Sequence, residues 1–240
     1  MKLTYIGHSG YAIEGEDFTI IIDYFVDTSD DPTQGYVHKE LLKKEGKLYI
    51  LSTHSHYDHF NREIRKWKDE HPNTINIFSL DILKARKAKD KDATFLDKLN
   101  TYKDETLFIK AYGSTDLGIS FFIKAGDKAI FHAGDLNNWH WNEESTPEEI
   151  LEAETAYQNE LSLLTKEIKH LNLAMFPVDP RLGKDYMKGA EQFVDAIPTD
   201  IFAPIHFGEE YEKATAFKDY AEKKGVKFIS WKKRGESIDF

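Results

Sequence analysis

The chain has 240 residues, no cysteine and a formal net charge of −10 at pH 7, and it is long enough for one large domain with a sizeable core. The missing cysteines exclude disulfides, thiolate zinc sites and cysteine nucleophiles, so any metal must be held by imidazole and carboxylate groups. The acidic balance argues against nucleic acid or an acidic membrane as a partner.

Short strands dominate the first 135 residues. β-Branched and aromatic residues between glycine-containing turns predict strands at KLTYIG, YAIE and FTIIID, then at KLYILST and INIFSL. Further on, TLFIKAYG predicts a strand, and GISFFIKAGDKAIFHAGD predicts a hairpin turning at Ala125-Gly126-Asp127. Helical segments are predicted at VHKELLKKEG and NREIRKWKDE. The charged run KARKAKDKD, residues 84 to 92, predicts a solvated helix face.

The strongest helix signal spans residues 146 to 170. Thr146 suits an N-cap, Pro147 suits the first helical position, and Glu149 completes a capping box. Apolar residues at three- and four-residue spacing mark one buried face; they are Ile150, Ala153, Tyr157, Leu161, Leu164 and Ile168. Strand and helix patterns then alternate to the end of the chain. We predict a single domain over residues 1–240 with a helical insertion at about 146–170.

The stretch LSTHSHYDHFN, residues 51 to 61, holds three histidines and an aspartate in the pattern H-x-H-x-D-H. It directly follows an apolar strand, and the carboxyl ends of strands are where α/β folds place their sites. In an extended segment His54 and His56 point the same way and can chelate one ion. Beyond the turn, Asp58 and His59 can face a second ion. The motif therefore predicts a metal site rather than a polar surface loop.

Four sequence elements, in their order along the chain, resemble the metallo-β-lactamase superfamily of metal-dependent hydrolases. They are Asp23 in TIIIDYF, the motif at residues 54–59, Asp135 in IFHAGD and His206 in APIHFG. The segments GHSGYAIEG and HAGDLN are similar to the branch that includes ascorbate-6-phosphate lactonase. The resemblance covers essentially the whole chain. It implies an α+β fold, the αββα four-layer sandwich, with two mixed β-sheets back to back and helices outside.

The resemblance also implies two ligand sets. The first set is Asp58, His59, His206 and a bridging Asp135, and the second set is His54, His56 and the same Asp135. Behind the ligands, Asp23 would hold the histidines or their loop in place. Zinc is the default ion for such sets, in one or two copies, and manganese or iron also fits mixed nitrogen and oxygen ligands.

The chain departs from the family pattern at one ligand. The family places a further histidine between the second motif and the Gly-Asp, where residues 72–131 contain none. The expected position falls on Tyr112, Gly113 or Ser114, and none of these replaces imidazole well. The second ligand set is therefore one ligand short.

Three interpretations of this gap remain open. In the first, Asp116 or His140 completes the set, because either group satisfies zinc. In the second, the protein works with one metal, and in the third, catalysis is lost and the pocket only binds. His140 is the better substitute, since it follows Asp135 by five residues. A histidine between two tryptophans also suits packing or a substrate pocket.

Several other polar residues have both a functional and a structural interpretation. His8 and His132 are expected to stand behind the ligands or to be structural. In FPVDPRLGKDYMKG, Arg181 could bind a substrate phosphate or carboxylate bidentately, or Asp179 and Arg181 could form a structural ion pair. Tyr112, at the gap, is a further candidate for substrate contact.

The predicted chemistry is attack by a metal-activated water on a small ester, lactone or phosphoester. Asp58 would orient the water, and His140 is a second catalytic candidate. The alternatives are a phosphodiesterase or nuclease, as in the family's ribonuclease Z branch, and a catalytically impaired binding protein. The N-terminus lacks the features of a signal peptide and no long apolar run occurs. We therefore expect a cytoplasmic hydrolase with a small-molecule substrate, no membrane partner and a surface that could form a homo-oligomer.

Overall fold

The computed structural model describes all residues from 1 to 240. Its strands are β1 (Lys2–Gly7), β2 (Gly10–Glu14), β3 (Phe18–Ile22), β4 (Lys47–Ser52), β5 (Thr74–Ser79), β6 (Thr94–Leu96), β7 (Thr101–Lys103), β8 (Leu107–Tyr112), β9 (Ser120–Ala125), β10 (Lys128–His132), β11 (Leu171–Pro177), β12 (Thr199–Ile205), β13 (Lys227–Phe228) and β14 (Ser237–Asp239). Its α-helices are α1 (Tyr36–Lys39), α2 (Trp67–Glu70), α3 (Leu80–Lys84), α4 (Pro147–Glu167), α5 (Lys188–Ala196), α6 (Tyr211–Thr215) and α7 (Lys218–Lys223). Short 3-10 helices lie at Pro32–Gln34, Leu41–Lys43, Arg62–Lys66, Asp90–Asp92 and Pro180–Asp185.

The first compact unit comprises residues 1–97 and 231–240. Its sheet has the order β14-β1-β2-β3-β4-β5-β6. The pairs from β14 to β3 are antiparallel, and those from β3 to β6 are parallel. The inner strands are buried almost throughout, which fits their near-continuous apolar sequences. Ile21 and Ile50 pair across the centre and belong to a core that also contains Trp67.

The second compact unit comprises residues 98–230. Its sheet has the order β13-β12-β11-β10-β9-β8-β7, with parallel pairs from β10 to β13 and antiparallel pairs from β7 to β10. The longest helix, α4, begins as predicted, since Thr146 and Glu149 form the capping box and Pro147 follows the cap. Tyr157 on its buried face donates a hydrogen bond to the Gly189 carbonyl. No helix combines the length and the apolar character that a membrane crossing requires.

These elements confirm an α+β chain with two mixed sheets and helices. The single domain over residues 1–240 stays a prediction. The predicted helix face at 84–92 is wrong: α3 ends at Lys84, a turn follows, and Lys87 donates to the Ser55 carbonyl. The segment thus packs on the histidine motif instead of extending a helix.

The carboxyl ends of several strands carry the residues singled out from the sequence. His8 follows β1, Asp23 follows β3, and the histidine motif follows β4. In the second unit Asp135 comes after β10 and His206 directly follows β12. The carboxyl ends of strands therefore position the candidate site residues in both units.

Gly46 lies in the turn before β4, and we expect its replacement by alanine to destabilise the protein. The residue has a φ of +102°, and a Cβ there would lie 2.4 Å from the Asp17 carbonyl oxygen. That oxygen accepts the Lys47 N–H, so it cannot move away without breaking the bond. We expect a loss of about 1–3 kcal/mol in the free energy of unfolding.

Chemical denaturation of Gly46→Ala beside Gly126→Ala would check this expectation. Gly126, at the β9–β10 turn, has a φ of +58°, and a Cβ there would meet nothing within 4 Å. Only backbone strain of about 1 kcal/mol should therefore appear in that variant. If both variants lose the same free energy of unfolding, the structure must have shifted to relieve the contact between the added Cβ and the Asp17 carbonyl oxygen.

Candidate functional site

The predicted ligands lie in both compact units. His54, His56, Asp58 and His59 belong to the first unit, and Asp135 and His206 belong to the second. Three of the singled-out residues have a left-handed backbone, with φ of 52° at His8, 48° at Asp23 and 62° at His206. Such positions cost about 1–3 kcal/mol each for residues other than glycine and cluster at functional sites.

Asp23 is fully buried and accepts three hydrogen bonds in the first unit. Its Oδ1 accepts the Thr53 N–H at 2.7 Å, and its Oδ2 accepts the Thr53 hydroxyl at 2.6 Å. The same Oδ2 lies 2.7 Å from Nδ1 of His59. A carboxylate only accepts, so the His59 proton sits on Nδ1 and Nε2 carries a lone pair. Asp23 therefore prepares His59 as a ligand, which supports its predicted place behind the metal.

The hydrogen bonds also show which ring nitrogen of His54 carries the proton. The Thr53 hydroxyl gives its hydrogen to Asp23, and its oxygen lies 3.0 Å from Nδ1 of His54. Nδ1 of His54 must therefore donate, which leaves the lone pair on Nε2. That Nε2 lies 3.0 Å from Nδ1 of His56, a residue whose side chain is exposed. The two donor atoms are thus adjacent, as the spacing in the motif predicts.

His8 contacts the acidic residue of the motif. Its Nε2 lies 3.3 Å from Oδ2 of Asp58, and its ring meets that of His59 edge to face at 5.6 Å between centroids. Burial alone would raise the pKa of Asp58, but the hydrogen bond from His8 lowers that pKa well below its usual range. Asp58 is therefore a carboxylate at neutral pH. The donor atoms of His8, Asp58 and His59 all lie within 4.8 Å of one another.

In the second unit Asp179 supports His206 as Asp23 supports His59. Its carboxylate is 1% exposed, and its Oδ2 accepts Nδ1–H of His206 at 2.9 Å. Arg181 donates to both carboxylate oxygens through Nε. Burial alone would raise the pKa of Asp179, but the bonds from His206 and Arg181 lower that pKa to about 2. The ion pair of Asp179 with Arg181 considered from the sequence is present, and a substrate contact of Asp179 stays a prediction.

Nε2 of His206 faces the Gly-Asp aspartate. That nitrogen lies 3.3 Å from Oδ1 of Asp135, and both side chains are 5% exposed. Trp139 donates its indole N–H to the Asp135 carbonyl at 2.8 Å and packs edge to face on the His206 ring. The tryptophan thus fixes both candidate ligands of this unit.

No residue of the gap between the motifs offers a ready ligand. Tyr112 is buried and donates its hydroxyl to Glu167 at 2.9 Å, and its substrate contact stays a prediction. The carboxylate of Glu160 covers Gly113, since a Cβ there would lie 2.4 Å from its Oε2. The Ser114 hydroxyl accepts the backbone N–H of Asp116 at 3.3 Å. The side chain of Asp116 is exposed in this turn, and its role as a substitute ligand stays a prediction.

Both ring nitrogens of His140 have backbone partners. Nε2 lies 3.1 Å from the Asp185 carbonyl, and Nδ1 accepts the Asn142 N–H at 3.2 Å. The side chain is 1% exposed. These bonds join the loop of His140 to the 3-10 helix at Pro180–Asp185, and the catalytic or ligand role of His140 stays a prediction. His132 is fully buried and its Nδ1 accepts the Gly134 N–H, which gives it the structural role considered from the sequence.

The donor groups fit a transition metal ion in both chemistry and spacing. Ligand atoms about 2.0–2.2 Å from an ion lie about 3.3–3.6 Å apart in a tetrahedron and about 2.8–3.1 Å apart in an octahedron. The observed separations are 3.3 Å for His8 and Asp58, 3.0 Å for His54 and His56, and 3.3 Å for His206 and Asp135. Imidazole and carboxylate are the groups that zinc, manganese and iron accept.

Sequence reasoning missed two supporting residues. Thr53 was not singled out, although a hydroxyl directly before the first histidine of a motif is a usable signal. Asp179 was considered for an ion pair with Arg181 or for substrate binding, and its contact with His206, 27 positions away, could not be read from spacing. Both residues fix the proton on a histidine.

A family model described as beta-lactamase superfamily domain matches residues 2–151. A UPF0173 metal-dependent hydrolase of Nanoarchaeum equitans is 25% identical over an alignment of 256 residues that covers 100% of both chains. A metallo hydrolase from the hyperthermophilic archaeon Ignicoccus hospitalis has a TM-score of 0.68 at 18% identity, covering 100% of this chain and 98% of that one. CmlA, a diiron beta-hydroxylase from Streptomyces venezuelae, has a TM-score of 0.68 at 15% identity, with 100% of this chain and 54% of that chain covered. At these identities the two structures show a shared fold.

Proposed function

Because the chain belongs to the beta-lactamase superfamily and is one of its metal-dependent hydrolases, we propose that it cleaves a small ester, lactone or phosphoester. The observation that carries this proposal is the arrangement around His59. A buried carboxylate fixes its proton on Nδ1, and the other ring nitrogen lies among the donor atoms of His8 and Asp58. Such preparation of a histidine is what a metal ligand requires.

The proposed ligands are those that the family resemblance implies. An ion held there supplies acidity to a coordinated water, whose pKa falls from 15.7 to about 7. Asp58, a carboxylate at neutral pH, orients the attacking water by accepting its hydrogen bond. Asp23 and Asp179 keep the ligand histidines in one tautomer throughout. Zinc is the proposed ion, and the diiron relative makes iron the first alternative.

Arg181 is the proposed binding group for an anionic part of the substrate. Its side chain is 63% exposed and lies beside His206, while Asp179 fixes one edge of the guanidinium. Its charge could therefore face a phosphate or carboxylate without being buried. Arg181→Gln is expected to raise KM for anionic substrates about tenfold more than KM for neutral ones. Equal effects on both substrate types would contradict this role.

Metal analysis and a substrate panel test the proposed function. The purified protein is expected to contain one or two ions of zinc, iron or manganese per chain by mass spectrometry. It should hydrolyse at least one of an aryl ester, a lactone, a phosphomonoester and a phosphodiester. A chelator should abolish the activity, and one of the three ions should restore it. The proposal would be refuted if the protein contained no transition metal and the chelator left its activity unchanged. Preferential hydrolysis of the phosphodiester would favour the nuclease alternative.

A further inference from the structure

The turn between β1 and β2 places a histidine where glycine is favoured. Gly7 and Gly10 pair across the hairpin, so His8 and Ser9 form a two-residue turn. His8 has a φ of +52°, whereas Ser9 is not among the residues with positive φ. Two-residue turns with positive φ at their first position take glycine there for steric reasons. A histidine in this strained position suggests that its side chain has a use.

The strained backbone directs the His8 ring to the histidine motif. Nε2 of His8 lies 3.3 Å from Oδ2 of Asp58, and both side chains are mostly buried, at 17% and 20% exposed. This separation equals the tetrahedral edge expected for a ligand pair on one ion. The ring also meets Phe25 edge to face at 6.4 Å, which fixes its orientation.

We propose that His8 is itself a metal ligand, binding through Nε2 the ion that Asp58 and His59 hold. The three donors then come from one unit, two imidazoles and one carboxylate within 4.8 Å of one another. Imidazole and carboxylate groups are the donors that zinc accepts in sites without cysteine. The inference rests on the proposed function, because it needs a resident metal, but it assigns a ligand that the family motifs do not include.

Two variants separate a ligand from a mere ion-pair partner. His8→Gly removes the imidazole and relieves the positive φ, whereas His8→Asn keeps a polar side chain that tolerates this backbone. In metal competition titrations, both are expected to bind zinc at least tenfold more weakly than the wild type. The melting temperature of metal-free His8→Gly should equal or exceed that of the metal-free wild type. His170→Asn, on an exposed histidine, is the control.

Cobalt substitution supplies the deciding measurement. Imidazoles bound to Co²⁺ give paramagnetically shifted N–H proton resonances, and each His8 variant should lose one such resonance with respect to the wild type and the control. Unchanged resonances together with unchanged affinity would overturn the inference. A weaker affinity with all resonances retained would also overturn it, since His8 would then act only through Asp58. If the wild type binds no metal, the proposed function itself is refuted. If the wild type binds metal and both variants bind it with the same affinity as the wild type, only the role of His8 is refuted.

Discussion

Replacing His59 by alanine is expected to remove one ion from the protein and to lower metal-dependent hydrolysis by at least about 100-fold, more than loss of a supporting group usually costs. His59 is fully buried, and its Nδ1 lies 2.7 Å from the Asp23 carboxylate. The variant deletes a ligand nitrogen and leaves that carboxylate with one donor fewer. Both changes act on the same ion.

Metal content and kcat/KM measured on the same preparation check this prediction. His170→Ala is the matched control, because His170 is half exposed and its ion pair with Asp200 lies at the surface. A surface pair contributes about 0–1 kcal/mol, so this variant should behave as the wild type. Full metal content and full activity in His59→Ala would show that the motif is not the site of hydrolysis.

Replacing Asp23 by alanine is expected to weaken metal binding about 10–100-fold and to destabilise the fold by about 3 kcal/mol. The substitution leaves two donors on Thr53 and one on His59 without an acceptor. All three groups are buried, so water does not replace the lost partner easily. Asp23→Asn separates the two effects. In Asp23→Asn the new side-chain amide can donate to Nδ1 of His59, which would move the His59 proton to Nε2. Metal affinity should therefore fall by more than the loss of folding stability accounts for.

Asp27→Ala is the matched control for the Asp23 variants. Asp27 is also a buried acceptor of the first unit, taking the N–H groups of Thr28, Val37 and His38. Its loss should lower the free energy of unfolding in denaturant titrations without changing the metal affinity of the folded protein. Equal losses of affinity in the Asp23 and Asp27 variants would mean that Asp23 acts only through stability.

Periodicity and local signals were enough to predict most of the fold. The apolar runs before residue 135 became strands, and the Thr146, Pro147 and Glu149 signals placed the start of α4. The three-residue strands β6 and β7 were not predicted, because three residues are too few to show an alternating pattern. The helix predicted at residues 84–92 was wrong because a run of charged residues is equally compatible with a solvated helix face and a solvated turn.

The site was predictable where neighbours in sequence are neighbours in space. His54, His56, Asp58 and His59 lie in one loop, so their spacing alone indicated a metal. The roles of His140 and Asp179 could not be read this way, because both depend on partners 27 to 45 positions distant. His8 was recognised as near the site, but its contact with Asp58 depends on a left-handed turn residue that no spacing rule predicts.

The pairing of β14 with β1 covers one edge of the sheet that carries the histidine motif. Trp231 stacks on Tyr5 at 5.8 Å and donates its indole N–H to the Tyr11 hydroxyl, and Ile238 pairs with Leu3. On the ribosome, β1 therefore remains an open edge while residues 98–230 are being made. A chain that lacked residues 231–240 would present that edge to other chains. The histidine motif thus lies in a unit whose sheet is closed at this edge only when β14 has paired with β1.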